Sequence, residues 1–300
     1  MAVIEVRDLR KTYAGVSAVD GVSFSIGEGE VFALLGPNGA GKSTTVEILE
    51  GLRPATSGEI SVLGLDPERG GRELKDRIGI VLQTSGVQPE LTVREALTTY
   101  GAAYRRTRPA AELIELVGLD DKADARIGSL SGGQQRRVDL ALGLVGDPEV
   151  LFLDEPTTGF DPSARRRSWD LVSSLRQLGK TILLTTHYMD EAEYLADRVA
   201  VIAAGRIVAE GAPGDLGAIN DASRVSFALP CGARLGDLPA AVSAAAAVVD
   251  GVVVAKTSTP TVFLRDLTAW ATERGIELDD LSVSRPSLED VYIELTEGSP

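Results

Sequence analysis

The chain is poor in residues on which several chemistries depend. Of its 300 residues one is cysteine, Cys231, which excludes an internal disulfide and any cysteine-based metal cluster. One is histidine, His187, and a lone histidine taken by itself is ordinarily structural or solvated. Positive charge is also short: 30 Lys and Arg stand against 44 Asp and Glu, a net charge of −14 that opposes binding to nucleic acid phosphates or to an anionic lipid surface. No apolar run is long enough to cross a bilayer, since the best candidate, residues 239–249, is alanine-rich and stops at Asp250. The stretch Met1 to Arg10 carries charges throughout and lacks the apolar middle of a signal peptide. The expectation is a cytoplasmic chain that inserts into no membrane directly and meets one only through a protein partner.

What remains is the composition of a globular protein, with 44% hydrophobic and 25% charged residues, and a length that allows one large core plus a smaller second domain. The first informative stretch is GPNGAGKST, Gly36 to Thr44, which follows the apolar run Val31 to Leu35. Gly36, Gly41, Lys42 and Ser43 occupy the four defining positions of a phosphate-binding loop in a strand, loop, helix context. Glycines there let backbone N–H groups turn around an anion, and the helix beginning near Gly41 adds its positive end. Lys42 can then reach the β- and γ-phosphates, and the Ser43 hydroxyl can sit on Mg²⁺.

In chain order, residues 3–6 and 22–26 read as strands with a polar segment, Asp8 to Asp20, between them. Tyr13 falls in that segment, where an aromatic ring can stack on a purine or pack half-buried; both readings stay open on sequence alone. A helix is expected over Lys42 to Leu49, a strand over Ile60 to Leu63, and another over Ile78 to Leu82 that ends at Gln83. From Thr92 to about Gly128 the character is helical. Thr92 and Glu95 form a capping-box signature, Pro109 opens a second helix, and Ser131 caps a third running Gln135 to Leu144. By itself the Ser131-Gly132-Gly133-Gln134 entry reads either as a second anion-binding helix N-terminus, though without a lysine, or as an ordinary cap, and the cap is the favoured reading.

Val150 to Leu153 is an apolar strand that delivers Asp154 and Glu155 at its carboxyl end, one carboxylate placed to hold Mg²⁺ and the other to orient a water. Without a cation such a pair is costly to bury, so a purely structural reading is weak. Thr181 to Thr186 is a further buried strand that ends at His187. Polar groups therefore gather at the tips of several strands, the edge where open α/β sheets bind ligands.

These residues together resemble a family. GPNGAGKST, Gln83, LSGGQ at Leu130 to Gln134, VLFLDEP at Val150 to Pro156, FDP at Phe160 to Pro162 and TTH at Thr185 to His187 are similar, in order, to the motif set of ABC-type ATPases, over about residues 3–211. The resemblance implies an α/β fold: a P-loop NTPase core of mixed sheet and helices with an all-helical subdomain at about 88–145, spanning 1–220, and a small α+β domain at 221–300. It implies ATP and Mg²⁺ as ligands. Lys42 with Gly36, Asn38, Gly39, Ala40, Gly41, Ser43 and Thr44 would hold the phosphates, Ser43, Asp154 and Gln83 would serve the metal, and Gln83 would also sense the γ-phosphate and water. Glu155 would polarise the attacking water, His187 would contact the γ-phosphate, and Tyr13 would stack on adenine. Ser131, Gly132, Gly133 and Gln134 become the signature loop that closes on the nucleotide of a second subunit, a copy of this chain or a homologous ATPase in a head-to-tail dimer, and Asp161 lies in the loop that links the two sites. Phe160 stands where leucine is commoner, a packing-neutral change.

The tail SLEDVYIELTEG, Ser287 to Gly298, and the segment from His187 to Gly211 are similar to ATPases of daunorubicin-resistance-type exporters. That implies a separate membrane permease as partner, placing the chain at the inner face of the membrane; the alternative is a non-transport ABC ATPase acting on a soluble partner. Residues 221–300 hold twelve acidic and six basic groups, which again disfavours nucleic acid. Their pattern predicts strand (224–229), helix (235–245), two strands around an Asp250-Gly251 turn, helix (261–274) and strand (276–283), a split βαβ unit, with Ser287 capping a last helix. It offers no catalytic group and reads as a dimerisation or regulatory module.

Overall fold

A computed structural model describes residues 2–82, 86–216, 223–229, 233–249, 251–284 and 292. Gln83, Cys231, Asp250 and the helix expected after Ser287 lie outside the described residues. The chain divides into two compact units, Met1–Pro213 and Gly214–Pro300.

Unit one begins with a long hairpin, β1 (Ala2–Tyr13) and β2 (Val16–Gly27), joined by Ala14 and Gly15, both at positive φ. The polar segment expected from Asp8 to Asp20 is therefore mostly strand, and Tyr13 ends β1 instead of lying in a loop. Leu9 and Val19 are fully buried within it, while repeated register shifts in the β1–β2 ladder break the alternation that would have announced a strand. β4 (Ser57–Val62) pairs with the other edge of β1, making a three-stranded antiparallel sheet of order β2-β1-β4.

The second sheet has order β5-β6-β7-β3-β8-β9. Its strands β3 (Val31–Leu35), β5 (Ile78–Val81), β6 (Val150–Asp154), β7 (Thr181–Thr186) and β8 (Arg198–Ala203) are parallel, and β9 (Arg206–Gly211) runs antiparallel beside β8. The parallel strands are near-continuous apolar runs because both of their faces are covered. Being parallel, they bring the carboxyl ends of β3, β5, β6 and β7 to one edge. Helix α1 (Lys42–Leu49) packs between the sheets: Ile48 and Leu49 share a core with Ile4, Leu9, Val22 and Ile26 of the hairpin and with Phe32, Phe152 and Leu183. The Phe24 and Phe32 rings stack at 5.1 Å across that core.

After α2 (Gly71–Lys75) and β5 the chain turns helical: α3 (Val93–Gly101), α4 (Ala110–Leu116) and α5 (Gly132–Leu144) pack on one another, and α5 also packs on β5. The Thr92–Glu95 capping box is formed in both directions, at 3.2 and 2.9 Å. α5 starts at Gly132, three residues earlier than expected, because the Ser131 cap organises the turn through the glycines. Unit one closes with α6 (Pro162–Gln177), α7 (Met189–Leu195), β8 and β9.

Unit two contributes β10 (Ser223–Ala228), α9 (Ala240–Ala245), β11 (Ala246–Val249), β12 (Val252–Thr257), α10 (Pro260–Arg274) and β13 (Ser282–Ser284), after the short α8 (Pro213–Leu216) that crosses the division. All its strand pairs are antiparallel, in order β11-β12-β10-β13. Phe227, Val242, Val253, Phe263, Leu267 and Trp270 form its own core. Two expectations are corrected. Residues 235–245 are not one helix but a 3-10 turn (Leu235–Asp237) followed by α9, since Pro239 lacks an N–H and holds the residue before it extended. The last strand is only Ser282–Ser284, because Asp280 takes a left-handed φ of 54° just before it.

Candidate functional site

The edge formed by the parallel strand tips carries the candidate site. β3 runs into the loop Gly36 to Gly41 and then α1. Gly39 and Gly41 have φ of 81° and 106°, and a Cβ on Gly41 would meet the Ala18 carbonyl at 2.4 Å; one on Gly36 would meet the Ile202 carbonyl at the same distance. Backbone here approaches backbone too closely for a side chain. No side chain caps α1, so its first N–H groups face the loop without a side-chain acceptor. Lys42 is 5% exposed and folds back to donate from Nζ to the carbonyls of Gly36 at 2.7 Å and Pro37 at 3.2 Å. Burial lowers its pKa, while the charges of Glu155 and Asp154 pull it the other way, an electrostatic link between the loop and the β6 tip. Ser43, Asn38 and Gly39 are exposed, Thr44 is half-buried and Ala40 is buried.

The β6 tip is held by β7. Parallel register sets Asp154 opposite Thr185, whose hydroxyl donates to Asp154 Oδ1 at 2.5 Å. The Glu155 N–H donates to the Thr185 carbonyl and to its hydroxyl oxygen, each at 3.1 Å. Glu155 itself sits at φ 45°, a left-handed conformation that costs a non-glycine residue energy and that such sites keep only when the surroundings enforce it. Its Oε2 accepts from the Thr158 hydroxyl at 3.1 Å, and its Oε1 lies 3.3 Å from His187 Nδ1. His187 packs its ring against Tyr188.

Ser131 to Gln134 lies at the exposed N-terminus of α5. Ser131 Oγ accepts from the Gln134 N–H at 3.3 Å, and the Gln134 side chain accepts from the Ser131 N–H at 3.0 Å. Gly132 and Gly133 meet nothing within 4 Å of where a Cβ would stand. Among the described residues, none of this loop's hydrogen bonds reaches the Gly36–Thr44 loop. Asp161 caps α6, accepting from the N–H groups of Ser163 and Ala164 at 2.9 Å, and those backbone bonds hold its carboxyl below the usual range. Tyr13 is 38% exposed at the hairpin end, with the Lys11 ammonium 5.0 Å and the Arg53 guanidinium 5.9 Å from its ring centre.

The structure thus gathers Lys42, Asp154, Glu155 and His187 at one edge. It also shows residues that sequence reasoning missed. Thr185 was visible as a strand residue and as part of the TTH motif, but its bond to Asp154 depends on the register between β6 and β7. Glu191, fully buried in α7, accepts from the Thr157 hydroxyl at 2.8 Å and from Trp169 Nε1 at 3.0 Å, tying the segment after Glu155 to that after His187. The donor set suits a polyphosphate with a hard cation. The loop offers backbone N–H groups and an ammonium to anionic oxygens, and the exposed Ser43 hydroxyl with the Asp154 carboxylate is the sparse oxygen set that Mg²⁺ takes from protein. Among the described residues no group of three His, Cys, Asp or Glu side chains forms a fuller metal cage.

Comparison with known proteins agrees with this chemistry. The model of the family described as ABC transporter matches residues 19–158, and a second, described as ABC transporter domain-containing protein-like, C-terminal domain, matches 223–287. The chain is 39% identical over 302 residues to the daunorubicin resistance ATP-binding protein DrrA2 of Streptomyces coeruleorubidus, covering 96% of this chain and 93% of that one. It is 47% identical over 218 residues to the Nod factor export ATP-binding protein I of Burkholderia orbicola, covering 71% of this chain and 72% of that one. Among solved structures, cbiO1 from Clostridium perfringens, part of the ABC transporter complex cbiONQ, has a TM-score of 0.66 at 33% identity, covering 73% of this chain and 91% of that one. A dimeric ATP-binding cassette in a post-hydrolysis state with ADP and Pi has a TM-score of 0.63 at 28% identity, covering 70% and 98%.

Proposed function

The chain belongs to the ABC transporter ATP-binding family, and from that we propose that it is the ATP-hydrolysing subunit of an exporter, acting as a head-to-tail dimer on a separate membrane permease. The observation that carries the reading is Lys42, buried in the glycine loop and electrostatically linked to Asp154 and Glu155 at the neighbouring strand tip. Lys42 and the backbone N–H groups of Gly39 to Ser43 hold the triphosphate. Ser43 and Asp154, with Gln83, would hold Mg²⁺, which supplies charge neutralisation at the β- and γ-phosphates. Glu155 accepts a proton from the attacking water as its oxygen bonds to the γ-phosphorus; the bond to the β–γ bridging oxygen breaks, leaving ADP and phosphate. His187 sits against Glu155 and holds the γ-phosphate side of that water. Ser131 to Gln134 of a second subunit completes the site, Asp161 communicates between the two sites, and Tyr13 receives the adenine by exchanging its cation contacts for the base.

The similarity to a Nod factor export protein and a daunorubicin resistance protein favours an exporter of drugs or other hydrophobic compounds. Among the described residues no helix is long and apolar enough to cross a membrane. On the family reading the permease is a separate polypeptide and this chain sits peripherally at the membrane's inner face. Unit two serves dimerisation or regulation. Lys42→Ala should abolish ATP binding, and Glu155→Gln should bind ATP and accumulate as a dimer in sedimentation velocity while hydrolysing about a hundredfold more slowly or less. Wild-type turnover in Glu155→Gln would remove the assigned base. Recovery of the chain from detergent extracts without any membrane protein would move the reading to an ATPase acting on a soluble partner.

A further inference from the structure

Two adjacent arginines on α5 point to opposite neighbours. Arg137 donates from Nη1 to the carbonyls of Val117 and Gly118 at the end of α4, at 3.4 and 3.3 Å, and so ties α5 to the helical segment. Arg136 turns towards the strand tips. Its side chain is 12% exposed, and each of its three nitrogens donates to a different backbone carbonyl: Nε to Pro156 at 3.1 Å, Nη2 to Asp154 at 3.2 Å, and Nη1 to Leu82. Asp139 lies 3.8 Å from Nη1 on the same helix. Asp154 and Pro156 flank Glu155, and Leu82 immediately precedes Gln83. A guanidinium carries donors on three separate nitrogens in fixed, divergent directions, which suits three acceptors set apart from one another.

We propose that Arg136 is a positioning residue that couples the β5 and β6 tips to the Ser131–Gln134 loop of its own subunit. Arg136 lies in the second turn of the helix whose N-terminus is that loop, so a displacement of the carbonyls around Glu155 is delivered to the loop through one turn of helix. An apolar side chain would suffice merely to seat α5 on the sheet. Here a cation is desolvated, against the grain of burial, to grip the two carbonyls that bracket the left-handed Glu155. The inference rests on the reading that the loop serves a second subunit's nucleotide; the coupling itself lies within one subunit.

Amide hydrogen exchange of the full chain, diluted to the monomer, with and without ATP and Mg²⁺, reads that coupling directly. Nucleotide should slow exchange at residues 36–45 and also change it at 131–140; Arg136→Gln should keep the first response and lose the second. A response at 131–140 that survives in Arg136→Gln overturns the proposal. In steady-state hydrolysis Arg136→Gln should lower kcat about tenfold or more with KM for ATP within about twofold, since the nucleotide contacts are untouched. Arg136→Lys keeps the charge and the fold but concentrates its donors at one point, and should recover less than half of the lost kcat; full recovery by lysine, or kcat and KM moving together, overturns a positioning role. Failure of the dimer reading shows separately, as Glu155→Gln remaining monomeric with ATP, and leaves the exchange result on the monomer to answer for Arg136.

Discussion

Glu50 shows how far a single side chain's environment departs from what its letter suggests. It ends the helix that begins in the phosphate loop and is 2% exposed. Burial first, then the charges of Asp154 and Glu47, push its carboxyl up to about 8. The folded chain therefore keeps a proton on Glu50 that the unfolded chain releases near 4.5, so this group's contribution to stability is full below 4.5 and is lost as pH rises to about 8. Through that window the loss has a ceiling of about 1.4 kcal/mol per pH unit. Thermal unfolding without nucleotide should show the wild-type melting temperature falling between about pH 6 and about pH 8, and Glu50→Gln should flatten that fall. Equal slopes for the two chains would show that another group titrates. Residues of this kind were illegible in the sequence. Gly36 to Thr44 announces itself because its function is local in the chain, and Asp154, Glu155 and His187 because each ends an apolar run. Thr185 lies in the TTH motif, but its bond to Asp154 acts through register; Arg136 acts through backbone carbonyls of distant segments, and Glu191 is one acid among several in its segment, so no spacing along the chain marks those roles.

At the scale of an element, α5 carries two duties on one residue. Ser131 caps the helix, and in the proposed dimer its hydroxyl serves a neighbour's nucleotide. The cap uses the oxygen's lone pair, because Oγ accepts from the Gln134 N–H, so the hydroxyl hydrogen stays available to donate. The duties can be parted by substitution. Ser131→Ala should lose the cap, about 1 kcal/mol of stability, together with hydrolysis. Ser131→Asp should keep the cap and melt near the wild type, yet hydrolyse ATP at least about a hundredfold more slowly, because a carboxylate cannot donate and repels phosphate. Wild-type turnover in Ser131→Asp, measured beside its melting curve, would reduce the loop to a cap. Elements also mark where pattern reading succeeded. α1, α3 and the buried strands were legible because continuous apolar runs and caps are local signals. Of the β1–β2 hairpin only residues 3–6 and 22–26 were legible, since bulges in the rest scramble the two-residue period and its exposed face carries the polar residues that resemble a loop.

For the whole molecule the question is whether the second unit is needed for nucleotide chemistry. Every candidate site residue lies within Met1–Pro213, and each unit has a core built from its own residues. Among the described residues, the four antiparallel strands of unit two close over a core of the unit's own residues, Phe227, Val253, Leu267 and Trp270 among them, as unit one's strands close over theirs. Val249 and Val252, paired across the β11–β12 ladder beside the turn, are solvent-exposed, a small apolar spot suited to a protein partner. A chain ending at residue 220 should accordingly fold, bind ATP with an affinity within about twofold of the full chain, and associate more weakly with its own copies or with the permease. Nucleotide titration and sedimentation on the same preparation separate the two effects. Association unchanged by the truncation would assign the interface to unit one alone, whereas lost ATP affinity would mean that the units share the stability of the phosphate loop.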